Sequence, residues 1–336
     1  MFRRTVAVSL ALLLALFFIP VFCIEPTGEM GGGGLYIHSA EASDTGIVFP
    51  GTDESVSLTV ELAGEVQTMT LRSYITAVVR AEMPADFSSE ALKAQAVAAR
   101  SYTLYQLSHA AQCKHASGAA LCGDSSCCQA YITEEKAREN WGAEAEEKLK
   151  KTAAAVIDTD GVVALYEGEP ILAAFHSSAA GATEDAALAW SSSVPYLKSV
   201  TSPETAETVP RYEAESRFSA EEFRTLFLAS HPEASFPKAA EDYVRKLQRD
   251  EAGYVDTCAV GGVTVRGVEV RRIFSLRSAC FTVAAEDDRL VFLTEGYGHG
   301  VGMSQYGAEL MAQQGADFES ILKHYYAGVE LGKYTQ

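Results

Sequence analysis

The chain has 336 residues, of which 48% are hydrophobic, so it is long and apolar enough for one large domain or two ordinary ones. Its formal net charge of −18 at pH 7 excludes the nonspecific nucleic-acid binders, whose surfaces are basic. An anionic ligand would need a local basic patch, because the overall field of the protein repels it.

A short basic end and a long apolar run open the sequence. Arg3 and Arg4 precede the uncharged residues 5–23, a run long enough to cross a bilayer. The arginines predict a cytoplasmic end at residues 1–4 and an uncleaved transmembrane anchor at 5–23. A cleaved signal peptide is the alternative, although no small-x-small site follows the run. Either interpretation places the remaining chain outside the cytoplasm, beginning with a Gly-rich tether over residues 24–52.

Residues 53–336 carry the patterns of a folded region. A strand pair is predicted at 55–62 and 66–71, and an antiparallel meander at 253–294. Residues 203–253 are charged and predict a helical insert. The expected fold class is therefore α+β, with mixed helices and antiparallel strands around one main core and one transmembrane helix before it.

The stretch 71–105 predicts two helices broken at Met83-Pro84, since proline does not continue a helix. The first helix has one apolar stripe, formed by Leu71, Tyr74, Ile75, Val78 and Val79. The same spacing reaches Glu82 one turn later. A carboxyl in apolar surroundings has a raised pKa, which suits a general acid near neutral pH. A solvated or ion-paired glutamate at a helix end is the simpler alternative.

The second helix begins near Ser88 and is rich in alanine, which predicts close packing on most of its faces. Lys93 and Arg100 are seven residues apart and lie on nearly the same face. They could hold an anionic ligand, or they could reach solvent or pair with acidic side chains.

Cysteine and histidine are concentrated in residues 106–131, at Cys113, His115, Cys122, Cys127 and Cys128. Such a cluster in a Gly-containing loop predicts a zinc site. Disulfides are the alternative in an extracytoplasmic compartment, although the neighbours Cys127 and Cys128 cannot bond each other without strain.

The segment GYGHGVGMSQYGAELMAQQG (296–315) has alternating glycines, which allow close backbone approach. It matches neither a P-loop nor a dinucleotide fingerprint. Ser304 predicts the N-cap of a helix, and His299 lies at its entry. His176-Ser177-Ser178 lacks the G-x-S-x-G context of a serine nucleophile.

Several blocks resemble the stage II sporulation protein D family, which also contains the amidase enhancers. They cover roughly 54–200 and 254–330: YITAVVRAEMPADFSSEALKAQAVAARSYTL, CGDSSCCQAY, FHSSAAGATEDA followed by VPYLKSV, RRIFSLRSACFTV, and GYGHGVGMSQYGAELMAQQG with ILKHYYAG. No block is a common motif by itself, and all occur in order.

The resemblance implies a membrane-anchored peptidoglycan lytic transglycosylase acting in the engulfing mother-cell membrane during sporulation. Such an enzyme cleaves MurNAc–GlcNAc glycan strands, typically after a partner amidase has removed the stem peptides. Glu82 would be the catalytic acid. Substrate contacts would come from Lys93, Arg100, His176, His299, Ser304, Gln305 and Tyr306.

The resemblance also implies a zinc-binding loop, here interpreted as a structural site held by His115, Cys122, Cys127 and Cys128. The family pattern has His-Cys before the glutamine, whereas this chain has Cys127-Cys128. Thiolate is a good zinc ligand, so the replacement is compatible with the metal.

A single carboxyl suffices for the implied reaction: Glu82 would protonate the glycosidic oxygen and then take the proton of the C6 hydroxyl, which closes a 1,6-anhydro ring. Lys93 and Arg100 would bind the lactyl carboxylate of MurNAc. Asp86 and Glu184 are possible second acids. A non-catalytic amidase enhancer and a zinc hydrolase are the alternative functions.

Overall fold

The computed structural model describes residues 52–109 and 118–333. Within these two ranges no helix has both the length and the apolar composition of a membrane span. The predicted cytoplasmic end, the anchor at 5–23 and the tether up to residue 51 lie outside the described residues.

Helices and strands both run through the described chain. The α-helices are α1 Leu71–Glu82, α2 Ser89–Ser108, α3 Glu134–Trp141, α4 Ala145–Asp158, α5 Ala186–Trp190, α6 Ala220–Ser230, α7 Gly267–Ile273, α8 Gln305–Gln313 and α9 Phe318–Tyr325. The strands are β1 Ser57–Leu62, β2 Glu65–Thr70, β3 Leu121–Cys122, β4 Val162–Tyr166, β5 Glu169–Pro170, β6 Phe175–His176, β7 Glu213–Ser219, β8 Val244–Arg249, β9 Val255–Val260, β10 Val263–Arg266, β11 Phe281–Glu286, β12 Arg289–Glu295, β13 Met303–Ser304 and β14 Glu330–Lys333.

The strands form small, mostly antiparallel sheets, in the orders β2-β1-β3, β14-β4-β5, β13-β6, β10-β9-β8 and β11-β12-β7. Parallel pairing within the described residues occurs between β1 and β3 and between β13 and β6. The predicted α+β class is confirmed. The predicted strand pair is also confirmed as β1 and β2, with Ser57 opposite Thr70.

The described residues form two large hydrophobic cores and a small third cluster of Tyr254, Ala279 and Cys280. The main core surrounds α1 and α2 and includes α8, α9 and strand β4. The second core is aromatic, with Phe223 stacked on Phe274 at 4.3 Å between ring centroids and Phe292 beside both. It extends from Ala220 to Phe292. A helix, α6, and the two sheets built from β7 to β12 enclose it.

The helical insert predicted over 203–253 is therefore wrong in type and extent. Its first half contains helix α6, but Val244–Arg249 is strand β8, which pairs with β9 through a register shift. Charged residues hid this strand, because its side chains are mostly exposed and leave little apolar alternation. The insert is instead part of an α+β lobe with its own core.

The helix–proline–helix stretch forms as predicted. The side chain of Thr70 caps α1 by accepting a hydrogen bond from the Ser73 N–H, and Met83 leaves the helix with extended backbone before Pro84. The whole apolar stripe is buried, and so is Glu82 at its end. Helix α2 is buried from Ala91 to Leu104 except at Lys93 and Tyr102, because its alanines let α1, α4, α8, α9 and β4 pack closely.

A buried ion pair joins the start of the described chain to α2. Arg100 Nε and Nη2 donate to the two carboxylate oxygens of Asp53 at 2.7 and 2.6 Å. Nη1 donates to the Val162 carbonyl at 2.9 Å. Both side chains are 1% exposed, so the pair is held by bidentate geometry away from water.

We expect Asp53→Ala to lower the free energy of unfolding by about 3–5 kcal/mol, because it leaves the Arg100 guanidinium buried without its counter-ion. Urea denaturation measures this loss. The control is Glu54→Ala, which removes the exposed partner of Arg72 and should cost under about 1 kcal/mol. Equal losses of unfolding free energy in the two variants would show that the buried Arg100–Asp53 pair stabilises the fold no more than an exposed pair does.

Candidate functional site

Glu82 is the last residue of α1 and is 6% exposed. Its Oε1 accepts a hydrogen bond of 2.7 Å from the Ala130 N–H, whereas its Oε2 has no hydrogen-bond partner among the described residues. The segment that carries Ala130 runs along α1, where the Ile132 N–H donates to the Ala77 carbonyl. The carboxyl is thus fixed at one oxygen and free to hold a proton at the other.

Burial raises the pKa of Glu82 from 4.5 to about 7, and the hydrogen bond from the Ala130 N–H only partly opposes it. A large fraction of the carboxyl is therefore protonated at neutral pH. This is the protonation behaviour that general acid catalysis requires.

Two buried glutamine amides lie on α2 and on the segment that carries Ala130. Gln129 precedes Ala130 and donates from Nε2 to Thr103 Oγ1 of α2 at 3.0 Å. Gln95, two turns earlier on that face of α2, accepts from Gln305 Nε2 at 3.3 Å. Gln129 Oε1 and Gln95 Nε2 are buried without partners. These two atoms and Glu82 Oε2 are thus buried polar atoms without hydrogen-bond partners among the described residues.

The two predicted cations lie on the other side of α2. At about 100° per residue, Lys93 and Arg100 are roughly opposite Gln95. Lys93 binds Glu90 at 2.9 Å and Asp158 at 3.5 Å. The predicted sugar contact of Arg100 is wrong, because its guanidinium is buried and saturated by Asp53 and Val162. Lys93 is partly exposed, but it forms ion pairs with Glu90 and Asp158 and not with Glu82.

Three thiols meet beside the Glu82 segment. The sulfurs of Cys122, Cys127 and Cys128 all lie within 4.8 Å of one another and are buried. Cys128 Sγ is 3.9 Å from Cys127 Sγ and accepts a 3.4 Å hydrogen bond from the Cys122 N–H. The remaining predicted ligand, His115, lies outside the described residues, as does Cys113.

The donor set fits zinc. Three ligands about 2.3 Å from one tetrahedral ion lie about 3.8 Å apart, close to the observed sulfur spacing. Without a cation, the side-chain hydrogen bond with Cys122 and burial raise the pKa of the Cys128 thiol, and the hydrogen bond from the Cys122 N–H opposes them. A bound cation would instead favour thiolates. Because Cys128 is two residues before Ala130, a metal held here would fix the N–H that binds Glu82.

The Gly-rich segment brings His176 and His299 together, with ring centroids 5.5 Å apart. Gly298 has φ +125°, and a Cβ there would lie 2.6 Å from the His176 Cβ, so glycine is required. Trp190 lies 5.5 Å from the other side of His299. Burial lowers the pKa of His176 to about 4, and it also lowers that of His299. Both rings are therefore neutral at physiological pH.

Ser304 and Tyr306 have different surroundings. Ser304 caps α8 by accepting from the Gly307 N–H and is hydrogen-bonded to the buried Glu204. The ring of Tyr306 packs edge-on against Phe87 at 5.0 Å, on the loop that follows Glu82. Gln305 and Tyr306 therefore touch the α1–α2 hairpin, whereas Ser304 has a structural role.

Sequence reasoning missed Gln95 and Gln129, although a glutamine among the alanines of α2 was a visible signal. It also missed Trp190 and two arginines, Arg271 and Arg277, within the block RRIFSLRS. Two signals were available for these: the arginines fall in a resembling block, and the chain is otherwise acidic.

Comparison with known proteins places this arrangement in a family. A model described as "Stage II sporulation protein" matches residues 61–166, which contain Glu82 and the cysteine loop. The chain is 37% identical over 269 residues to "Stage II sporulation protein D" of Bacillus amyloliquefaciens, covering 80% of this chain and 76% of that protein. The protein of the same name from Bacillus subtilis gives the same figures.

The chain therefore belongs to the stage II sporulation protein D family, a family involved in sporulation, as the resemblance predicted. It is also 29% identical over 304 residues to an "Amidase enhancer" of Bacillus subtilis. That match covers 76% of this chain and 40% of the enhancer.

We expect purified wild-type protein to contain about one zinc ion per chain, and Cys122→Ser or Cys128→Ser to lose most of it, because each removes a clustered sulfur. Elemental analysis of the full-length protein measures the metal. The matched control is Cys258→Ser, which changes a buried thiol of the second core and should retain zinc. Unchanged zinc in Cys122→Ser would exclude Cys122 as a ligand.

The pKa of Glu82 predicts a pH-dependent stability. Its folded pKa of about 7 exceeds its ordinary value of 4.5, so its stabilising contribution is complete below pH 4.5 and is lost as the pH rises through 7. Glu82→Gln should therefore gain about 3 kcal/mol on wild type between pH 4.5 and pH 8. Urea denaturation across this range measures the difference, and a difference that does not vary with pH would contradict the buried carboxyl.

Proposed function

We propose that the chain is a peptidoglycan lytic transglycosylase that cleaves glycan strands between MurNAc and GlcNAc. The observation that carries the proposal is the buried carboxyl of Glu82, whose pKa of about 7 leaves it partly protonated at neutral pH. Membership of a sporulation family supports peptidoglycan as the substrate class, because engulfment requires cell-wall remodelling.

The reaction needs one acid that donates and then recovers a proton. Glu82 protonates the glycosidic oxygen as the bond to the MurNAc anomeric carbon breaks. The C6 hydroxyl of the same sugar attacks that carbon, and the Glu82 carboxylate removes the hydroxyl proton. The products are a 1,6-anhydroMurNAc end and a free GlcNAc hydroxyl, and Glu82 is protonated again.

The fixed oxygen of Glu82 supports this double role. Throughout the cycle Oε1 keeps the 2.7 Å hydrogen bond from the Ala130 N–H, so proton exchange takes place at Oε2. The N–H stabilises the carboxylate when the proton has left.

The other candidate acids suit the role less well. Asp86 is 74% exposed and binds Lys148 at 2.9 Å, so it lies in water as a surface ion-pair partner and not in an apolar setting. Burial raises the pKa of Glu184 to about 8, but its backbone N–H binds the Gly300 carbonyl, and the charged groups that act on it include Asp250 and Arg266 of the second lobe. A single-acid mechanism differs in this respect from ordinary glycosidases, which use a pair of carboxylates.

Zinc is proposed as a structural ion held by Cys122, Cys127, Cys128 and a further ligand such as His115. When bound, the ion would cross-link strand β3 to the segment that carries Gln129 and Ala130. A set rich in thiolates suits that role better than a catalytic one, which disfavours the zinc hydrolase alternative.

The remaining features of the proposal concern place and partners. Residues 5–23 would anchor the protein in the mother-cell membrane, with the folded region outside the cytoplasm facing the forespore. A sporulation amidase would act first by removing stem peptides. Similarity to an amidase enhancer supports the alternative of a wall-binding protein without catalysis.

We expect Glu82→Gln to lower the rate of anhydro-end formation on denuded glycan strands by about 100- to 10,000-fold, since it removes the transferable proton while keeping the side-chain shape. Mass spectrometry detects the loss of water that marks each anhydro end. The control Asp86→Asn should stay within about twofold of wild type, because Asp86 is exposed.

Two outcomes would decide against this function. Anhydro ends formed at the wild-type rate by Glu82→Gln would reject Glu82 as the acid. Binding of glycan by wild-type protein with no anhydro product would favour the non-catalytic enhancer.

A further inference from the structure

A second polar cluster lies where the Gly-rich segment meets the second lobe. Arg271 is 7% exposed, and its Nε donates to the Arg277 carbonyl at 3.2 Å. The same carbonyl accepts a 3.0 Å hydrogen bond from the Gly298 N–H. The guanidinium carbon of Arg277 lies 4.2 Å from the ring centroid of Tyr297, in a cation–π contact. The two arginines thus flank the loop that carries His299.

Neither guanidinium is neutralised. No carboxylate among the described residues lies within salt-bridge distance of Arg271 or Arg277, and Arg277 Nε is buried without a hydrogen-bond partner. Glu184 is an acid that acts on Arg271, and burial raises the pKa of Glu184 to about 8, so it is largely uncharged at neutral pH. Buried cations are normally paired, because desolvation of a lone charge is costly.

The electrostatics agree with this geometry. Burial lowers the pKa of Arg271 to about 10, opposed by Tyr297, Tyr254 and Glu184. Burial also lowers the pKa of Arg277, and the nearby Arg211 lowers it further. Each guanidinium therefore gains from an added negative charge. This concentration of positive charge is notable in a chain with net charge −18.

The cluster is connected to Glu82 through one aromatic contact. Tyr306 is close enough to Arg277 to influence its electrostatics, and its ring packs against Phe87, five residues after Glu82. Arg277 therefore lies near the end of the α1–α2 hairpin, next to the residue that contacts Phe87. A glycan strand several sugars long could reach both places.

We propose that Arg271 and Arg277 form a carboxylate-binding subsite for the glycan strand. This inference rests on the proposed function for its substrate. A guanidinium presents a planar fork of donors that matches a carboxylate. The site is preformed because Arg271 Nε and the Gly298 N–H both donate to the Arg277 carbonyl. The carboxylate belongs to the lactyl group of a denuded MurNAc or to a stem peptide.

The experiment measures binding by calorimetry in the full-length Glu82→Gln protein, which does not consume its ligand. Three probes of equal sugar length separate the sources: chitotetraose, a denuded GlcNAc–MurNAc tetrasaccharide and the same tetrasaccharide with stem peptides. We expect one carboxylate-bearing probe to bind about tenfold tighter than chitotetraose. A gain for the denuded probe identifies the lactyl group, and a gain for the other identifies the peptide.

Adding Arg277→Gln or Arg271→Gln should abolish that tenfold preference and leave chitotetraose affinity unchanged. Arg277→Lys should restore part of it, because the charge returns without the fork. The matched control is Arg224→Gln, which removes another arginine next to a tyrosine ring, that of Tyr243 in the second lobe. Thermal unfolding of each variant identifies any that fails to fold, and partly exposed Arg277 then remains the deciding position.

A carboxylate preference that survives Arg277→Gln would overturn the subsite, as would equal binding of all three probes. These results are independent of catalysis. If wild-type protein forms no anhydro ends but the preference still disappears in Arg277→Gln, the transglycosylase function fails and the carboxylate subsite stands.

Discussion

The close packing of helix α2 is the constraint on which the rest of the main core depends. Six elements pack against it, namely α1, α4, α8, α9, β4 and β5, so each buried polar side chain it carries must find a partner inside the protein. On one face Arg100 meets Asp53, which ties the start of the described chain to the core. On the opposite face Gln95 meets Gln305, which ties in the Gly-rich segment. One face of the helix therefore carries the Arg100–Asp53 ion pair, and the opposite face carries the hydrogen bond between the Gln95 and Gln305 amides.

Burial of Glu82 lowers the stability of the fold when the carboxyl is ionised, and the single hydrogen bond from the neighbouring loop does not remove this cost. The Ala130 N–H binds one carboxyl oxygen and leaves the other without a partner, so the proton is held at a defined atom. The three clustered thiols precede Ala130 in the chain by two, three and eight residues. A metal at the thiols would thus act on the acid through backbone position, by limiting how far that N–H can move.

Much of this could be predicted from local patterns. The stripe that ends at Glu82, the break at Met83-Pro84 and the cap at Ser304 depend on neighbouring residues, and the structure has all three. The failures concern partners that are distant in the chain. Asp53 is 47 residues from Arg100, so its ion pair could not be read from the spacing of Lys93 and Arg100. Strand β8 was predicted as helix because β9, rather than its own composition, determines its conformation.

The distribution of charge changes the expected position of anion binding. Helical spacing placed Lys93 and Arg100 together and invited a role with an acidic sugar, but both already have acidic partners in the chain. Unsatisfied charge is a better guide than charge itself, because a paired guanidinium gains little from a second anion. By that criterion Arg271 and Arg277 are better candidates, because neither has a carboxylate partner among the described residues and Arg277 Nε is buried without a hydrogen bond. Recognition and proton transfer would then come from different lobes, so the relative placement of the two cores would decide which glycosidic bond Glu82 reaches.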